Sequence, residues 1–372
     1  MTSRAVLAAV GSAVILLTGA CADPAMERVS LNTPTVFTTP ALPTVGTTSS
    51  APTTSAAPPA TSLDAPMATG PARPVTGAPR FFIVARTPIA HFADRSKTAT
   101  FTPVRPAVHD AETGELVAEV PLPPGVRSSW HLVAAAPDNR TFALTGWTGP
   151  DSPIRFFTLT LDENGRPGEP VPVPRPEQDD PDQAETMALS ADATRLAYAT
   201  RLIRGGARIS VLDLATGRRR DWSTREQSLI TGLAWAPDGR TLAWVAGGKA
   251  IGLLDLARRD TDLMAATQFA AQGKWLLQSV AYTPDGGALV YSTGQTIERL
   301  TLDGQGETRV LARPELPRSA SLGLRFSIDG TGRHLMFTHE WQRFVVDLTD
   351  GSTTSAPITA KGRAGNPPSA TW

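Results

Sequence analysis

Cysteine is almost absent: Cys21 is the only one in 372 residues. That excludes a disulfide framework within the chain and any zinc site built from two or more cysteines. Charge of one sign is not in surplus either, since 35 Lys and Arg face 35 Asp and Glu. The cationic excess that phosphate backbones demand is missing, so nucleic acid is not expected as a partner. The catalytic signatures are missing as well. There is no Gly-x-Ser-x-Gly elbow, no P-loop, no His-Glu-x-x-His and no Gly-x-Gly-x-x-Gly. The five histidines, His91, His109, His131, His334 and His339, fall at no metal-ligand spacing, and neither a metal nor a cofactor is expected.

What is present begins with an address. Arg4 is the only charge before Asp23, and residues 5–17 are thirteen apolar or small residues. A permanent transmembrane helix needs about 20. The run has the length of a signal-peptide apolar region, with Arg4 as its charged start. It ends in Leu17-Thr18-Gly19-Ala20-Cys21, which resembles the lipobox of bacterial lipoproteins. The resemblance implies cleavage before Cys21 and lipid on its sulfur, and hence a protein held at the outer face of the bacterial cytoplasmic membrane.

Between residues 31 and 80, Thr, Pro, Ala and Ser supply 35 of 50 positions, with only Asp64, Arg73 and Arg80 charged and Phe37 the one aromatic. Such a composition cannot bury enough apolar surface to offset its ordering entropy. Residues 21–79 therefore read as the anchored cysteine and a disordered, proline-stiffened tether.

From residue 80 the text repeats. All eight Trp and all three Tyr lie beyond it. The clearest unit runs Gly232-Leu233-Ala234-Trp235-Ala236-Pro237-Asp238-Gly239-Arg240-Thr241-Leu242-Ala243-Trp244-Val245. It reads as an apolar strand, a tight turn on Asp-Gly and a second apolar strand. Comparable units are marked by Asp138, Asp192, Asp285 and Asp329, so the five landmarks are spaced by 54, 46, 47 and 44 residues. A second landmark, a strand ending in Asp and a small turn, occurs six times, as at Val211-Leu212-Asp213 and Val346-Asp347-Leu348. Four short antiparallel strands per roughly 46 residues is the pattern of a β-propeller blade. The units resemble the WD40-like propeller repeats of the bacterial TolB type, Ala234 to Gly239 most closely.

Five first landmarks against six second ones leave one blade divided between the chain ends. Ser369-Ala370-Thr371-Trp372 matches Gly232-Leu233-Ala234-Trp235, and Arg80-Phe81-Phe82-Ile83-Val84-Ala85 supplies the strand that should follow. The expectation is an all-β, six-bladed propeller of four-stranded blades over residues 80–372, monomeric, behind a signal peptide of residues 1–20 and the linker. Seven blades would require a degenerate unit within residues 263–277.

The expected function is a non-catalytic module that binds or scaffolds a protein, peptide or glycan. The alternative is a propeller enzyme, a lactonase or glycan-acting hydrolase, with loop carboxylates and histidine at the channel mouth. Binding residues concentrate in loops on a rigid scaffold. The face carrying the middle loops and the links between blades, where lengths vary, is therefore the expected site. Its candidates are His91, Arg95, Trp147, Asp179, Asp180, Arg201, Arg204, Lys274, His339 and Trp341. His109 reads as a structural hydrogen-bonding residue. The acidic run at residues 177–182 lacks calcium-loop spacing. Arg218-Arg219-Arg220 is either a solvated turn or a basic patch for an anionic partner.

Overall fold

A computed structural model describes residues 78–85, 89–92, 99–102, 105–123, 126, 132–146, 154–174, 184–202, 205–226, 229–273, 279–293, 296–304, 306–314, 325–339, 341–358 and 369–372. The chain parts into Met1–Ala65 and Pro66–Trp372, and every described residue lies in the second unit.

Six four-stranded antiparallel sheets follow one another along the chain. In five of them the strands run in sequence order from the inside outward. Blade 2 is Val133–Ala135, Thr141–Gly146, Arg155–Thr160 and Val171–Pro172. Blade 3 is Ala184–Leu189, Arg195–Arg201, Ala207–Asp213 and Arg219–Thr224. Blade 4 is Ile230–Trp235, Thr241–Ala246, Ala250–Asp255 and Thr267–Gln272. Blade 5 is Val280–Tyr282, Ala288–Ser292, Ile297–Thr301 and Thr308–Ala312. Blade 6 is Phe326–Ile328, His334–His339, Gln342–Asp347 and Thr353–Pro357.

Blade 1 is shared between the chain ends. Its inner strand is Ser369–Thr371, paired with Phe81–Ala85 through Ile83↔Thr371 and Ala85↔Ser369, and Ala107–Asp110 and Leu116–Glu119 complete it. An additional hairpin, Ile89–Phe92 with Ala99–Thr102, interrupts this blade between its second and third strands. Among the described residues there is no seventh blade: Leu263 is a fully buried turn residue of blade 4, and Thr267–Gln272 is that blade's outer strand.

Each sheet is covered on both faces by its neighbours, so the second strands are continuous apolar runs rather than alternating ones. In Thr241–Ala246 every residue after Thr241 is buried. One repeat position carries Leu144, Tyr198, Trp244, Tyr291 and Phe337 in turn, each paired across the hairpin with the same inner-strand position. The apolar core is divided accordingly, with one cluster at each junction between blades. Phe81, Ile83 and Val108 meet Phe142 and Leu144 between blades 1 and 2. Trp222 and Ile209 meet Trp244 and Leu254 between blades 3 and 4. Met336 meets Phe82, Val84 and Trp372 between blades 6 and 1, and the ring closes there. Outer strands are more exposed, and Pro172 and Pro357 sit in them, where proline leaves no ladder bond unmade.

The turns joining first and second strands are all five residues long: 136–140, 190–194, 236–240, 283–287 and 329–333. The fourth residue has positive φ in each, namely Asn139, Ala193, Gly239, Gly286 and Gly332. Aligned on this residue, the third position holds Asp138, Asp192, Asp238 and Asp285, but Thr331 in blade 6. Asp329 is therefore two residues out of step with the landmark it was expected to match. The Thr331 hydroxyl accepts the Arg333 N–H, as the Asp138 carboxylate accepts that of Arg140. The corrected spacings between blades 3 and 6 are even. Gly332 also lies against the Pro284 ring of blade 5, where a Cβ would collide.

Candidate functional site

The six inner strands surround a central channel holding a cavity of about 360 Å³, lined by residues of all six blades. Its wall is mostly apolar, with Ala134, Met187, Leu233, Tyr282 and Phe326 among its residues. Hydroxyl groups fasten neighbouring inner strands around it. Phe326 N–H donates to Ser279 Oγ at 3.4 Å, and Trp372 N–H to Ser327 Oγ at 3.3 Å. Trp235 Nε1–H adds a bond to the Ala188 carbonyl of the preceding blade at 3.0 Å.

Among the described residues two charged ones belong to the channel lining, Arg325 and Asp329, the latter with its side chain wholly buried. They stand at opposite ends of one inner strand, four residues or about 13 Å apart at roughly 3.3 Å per residue. Asp329 faces the five-residue turns and is fully engaged. Its carboxylate accepts the Arg333 and His334 N–H groups, the Thr331 hydroxyl and, at 2.9 Å, His334 Nδ1.

Arg325 stands at the other mouth, on the face of the middle loops and inter-blade links. Its guanidinium donates to the Glu185 backbone carbonyl at 3.0 Å. Glu185 belongs to blade 3, three blades from blade 6, so the side chain crosses the channel. Arg325 keeps accessible surface because the channel is open, yet protein walls surround it. Their desolvation lowers its pKa, and the Glu185 charge partly opposes that shift. The Glu185 carboxylate itself pairs with Arg201 at 3.0 Å. Arg325, Glu185 and Arg201 thus form a mouth cluster with one net positive charge.

Of the expected site residues, Arg201 is the one placed at this mouth. His339 ends the second strand of blade 6, and Trp341 lies in the tight turn that follows, its carbonyl accepting the Ile358 N–H at 2.9 Å. His91 pairs with Thr100 in the added hairpin. Cys21, Arg95, Trp147, Asp179, Asp180, Arg204 and Lys274 lie outside the described residues. His109 has the structural role expected of it, buried with Nδ1 3.1 Å from the Gly114 carbonyl and its ring stacked on Phe82.

The arginine run is neither a patch nor merely solvated. Arg219 pairs with Asp221 at 3.1 Å. Arg220 lies over the Trp222 ring and donates to the Leu256 and Arg258 carbonyls of blade 4. It ties two blades together. Among the described residues no group of three or more His, Cys, Asp or Glu is placed to hold a metal ion.

Arg325 and Glu185 were not expected. In the corrected register Arg325 occupies the position of Leu132, Thr186, Gly232, Ser279 and Ser369 in the other blades. A charge at an otherwise small or uncharged position was the signal. Aligning blade 6 on Asp329 hid it.

Strand order and ring closure define a six-bladed β-propeller. No protein-family model matches the sequence, and no curated protein does. Among solved structures, the fold is similar to a TolB from Agrobacterium tumefaciens at 15% identity and TM-score 0.47, over 75% of this chain and 89% of that one. It is also similar to a chain of the nidogen/laminin complex at 15% identity and TM-score 0.46, over 58% of this chain and 77% of that one.

Proposed function

We propose that this protein is a cell-envelope lipoprotein, anchored through Cys21 to the outer face of the cytoplasmic membrane, whose propeller binds a protein, peptide or glycan without transforming it. The binding surface is the face that carries the middle loops and the inter-blade links.

The contrast between the two faces carries this reading. On one face the five described inner turns have identical length and the outer turns run from five residues, as at 111–115, to eleven, at 256–266. On the other face the middle loops run from two residues, at 340–341, to twenty-one, at 86–106, and the links from five, at 225–229, to thirteen, at 313–325. The identical turns follow from blade-to-blade packing, as at Gly332 and Pro284. The loops of the other face differ in length from blade to blade and are where a rigid scaffold displays recognition residues. The separation of Arg325 and Asp329 within the channel favours binding over acid–base chemistry, which needs its groups within reach of one reacting atom.

Cross-linking in native membranes, with and without substitutions, tests the reading. Alanine at Trp147, Arg204 and Trp341 together should remove the cross-linked partner. Alanine at Arg218 and Arg240, on the regular face, should not. Loss confined to the second group would place the site on the opposite face.

A further inference from the structure

We propose that the central channel binds a small organic anion, a carboxylate on an apolar body, whose charge meets the Arg325 guanidinium at the loop-face mouth. This goes beyond the macromolecular role above and concerns a different site, so either can fail alone.

The loop-face mouth of a largely apolar channel carries a solvent-exposed arginine, Arg325. A guanidinium carries five N–H donors, and Arg325 directs one of its nitrogens to the Glu185 backbone carbonyl. Among the described residues the ion pair of the Glu185 carboxylate is with Arg201 at 3.0 Å, and its charge reaches Arg325 without a direct ion pair. The other charged residue of the lining, Asp329, is at the far end and satisfied by its own turn. Arg325 therefore keeps donors to spare at the mouth, and the guanidinium fork matches a carboxylate in two-pronged geometry.

The enclosure suits the rest of such a ligand. Its volume, about 360 Å³, falls in the range of small-molecule sites, roughly 300–1,000 Å³, which combine apolar walls with a few placed polar groups. Met187, Leu233, Tyr282 and Phe326 supply apolar surface below the mouth. Thr186 adds a hydroxyl-bearing residue beside Glu185 in the same lining. The position equivalent to Arg325 is small or uncharged in the other five blades, so one blade alone provides the cation and the ligand has a single charged end.

Octanoate and 1-octanol, titrated calorimetrically into the full chain, test the proposal. The wild-type protein should bind one octanoate per chain, at least tenfold more tightly than 1-octanol. Arg325→Gln should weaken octanoate at least tenfold and leave 1-octanol unchanged, whereas Arg325→Lys, which keeps the charge but not the fork, should bind octanoate more weakly than wild type yet still in preference to 1-octanol. Melting temperatures of both variants check folding. Should Arg325→Gln fail to fold, the wild-type preference and Arg325→Lys still decide. Equal affinity of the wild type for the two probes, no octanoate binding, or undiminished binding by folded Arg325→Gln would each overturn the proposal.

Discussion

The backbone N–H of Trp372, the last residue, donates to the hydroxyl of Ser327 at 3.3 Å, one blade back around the ring. The Trp372 side chain is buried among Phe82, Val84, Met336 and Ile358, drawn from blades 1 and 6. Chain ends usually fray, but here the final strand is the innermost strand of blade 1. It closes a sheet edge that would otherwise stay unpaired.

Opening the ring should therefore destabilise the whole domain. Trp372→Ala removes a large buried aromatic and should cost about 3–5 kcal/mol. Deleting residues 369–372 should cost more, because the ladder to Phe81–Ala85 is lost with it. Deleting residues 31–60 should leave the denaturation midpoint unchanged. Urea denaturation followed by tryptophan fluorescence makes the comparison.

Ala193 holds a φ of 56° at the turn position where blades 4, 5 and 6 use glycine. An L-residue pays roughly 1 kcal/mol in that region. Ala193→Gly should raise the melting temperature. Gly332→Ala should lower it by more, since its Cβ would also strike the Pro284 ring.

Alkaline pH should act through the tyrosines. Burial pushes all three up: Tyr198, Tyr282, and Tyr291 to about 12, the last also donating to Glu298 at 2.7 Å. An unfolded tyrosine ionises near pH 10. A raised folded value means the stabilisation is complete below about pH 10 and lost as pH climbs through the folded values. Tyrosinate absorbance should stay flat through pH 10 and then rise together with loss of structure. A normal titration of one tyrosine in the folded protein at pH 10 would contradict this.

The anchor has its own test. Cys21→Ser should abolish acylation and shift the protein from the membrane to the soluble fraction on ultracentrifugation. Unchanged partitioning would mean that another segment holds it.

The fold was legible because a propeller is built from local instructions repeated. Short apolar runs, Asp-Gly turns and a period near 46 residues declare the blades. The likeness of Ser369 to Trp372 with Gly232 to Trp235 declares the closure. The misreading in blade 6 arose where chemistry was exchanged. Thr331 replaces the turn aspartate, while Asp329 takes the place held by Ser190 and Thr283, so an aspartate was present in the wrong register. Arg220 went the same way, since nothing near it in sequence announces the blade 4 carbonyls it bonds.

By itself, then, the sequence determined the repeating strand pairs and the join between the chain ends, while six blades rather than seven was settled by the structure. The strand pairs and the join depend on hydrophobic alternation and turn chemistry within about fifteen residues, or on likeness between distant segments. Only the tertiary structure decided what stands in the channel. Arg325 and Glu185 are 140 residues apart, and their meeting across the channel mouth is a property of the closed ring. Strand period and composition carry no record of which side chains meet across an axis formed when six blades close.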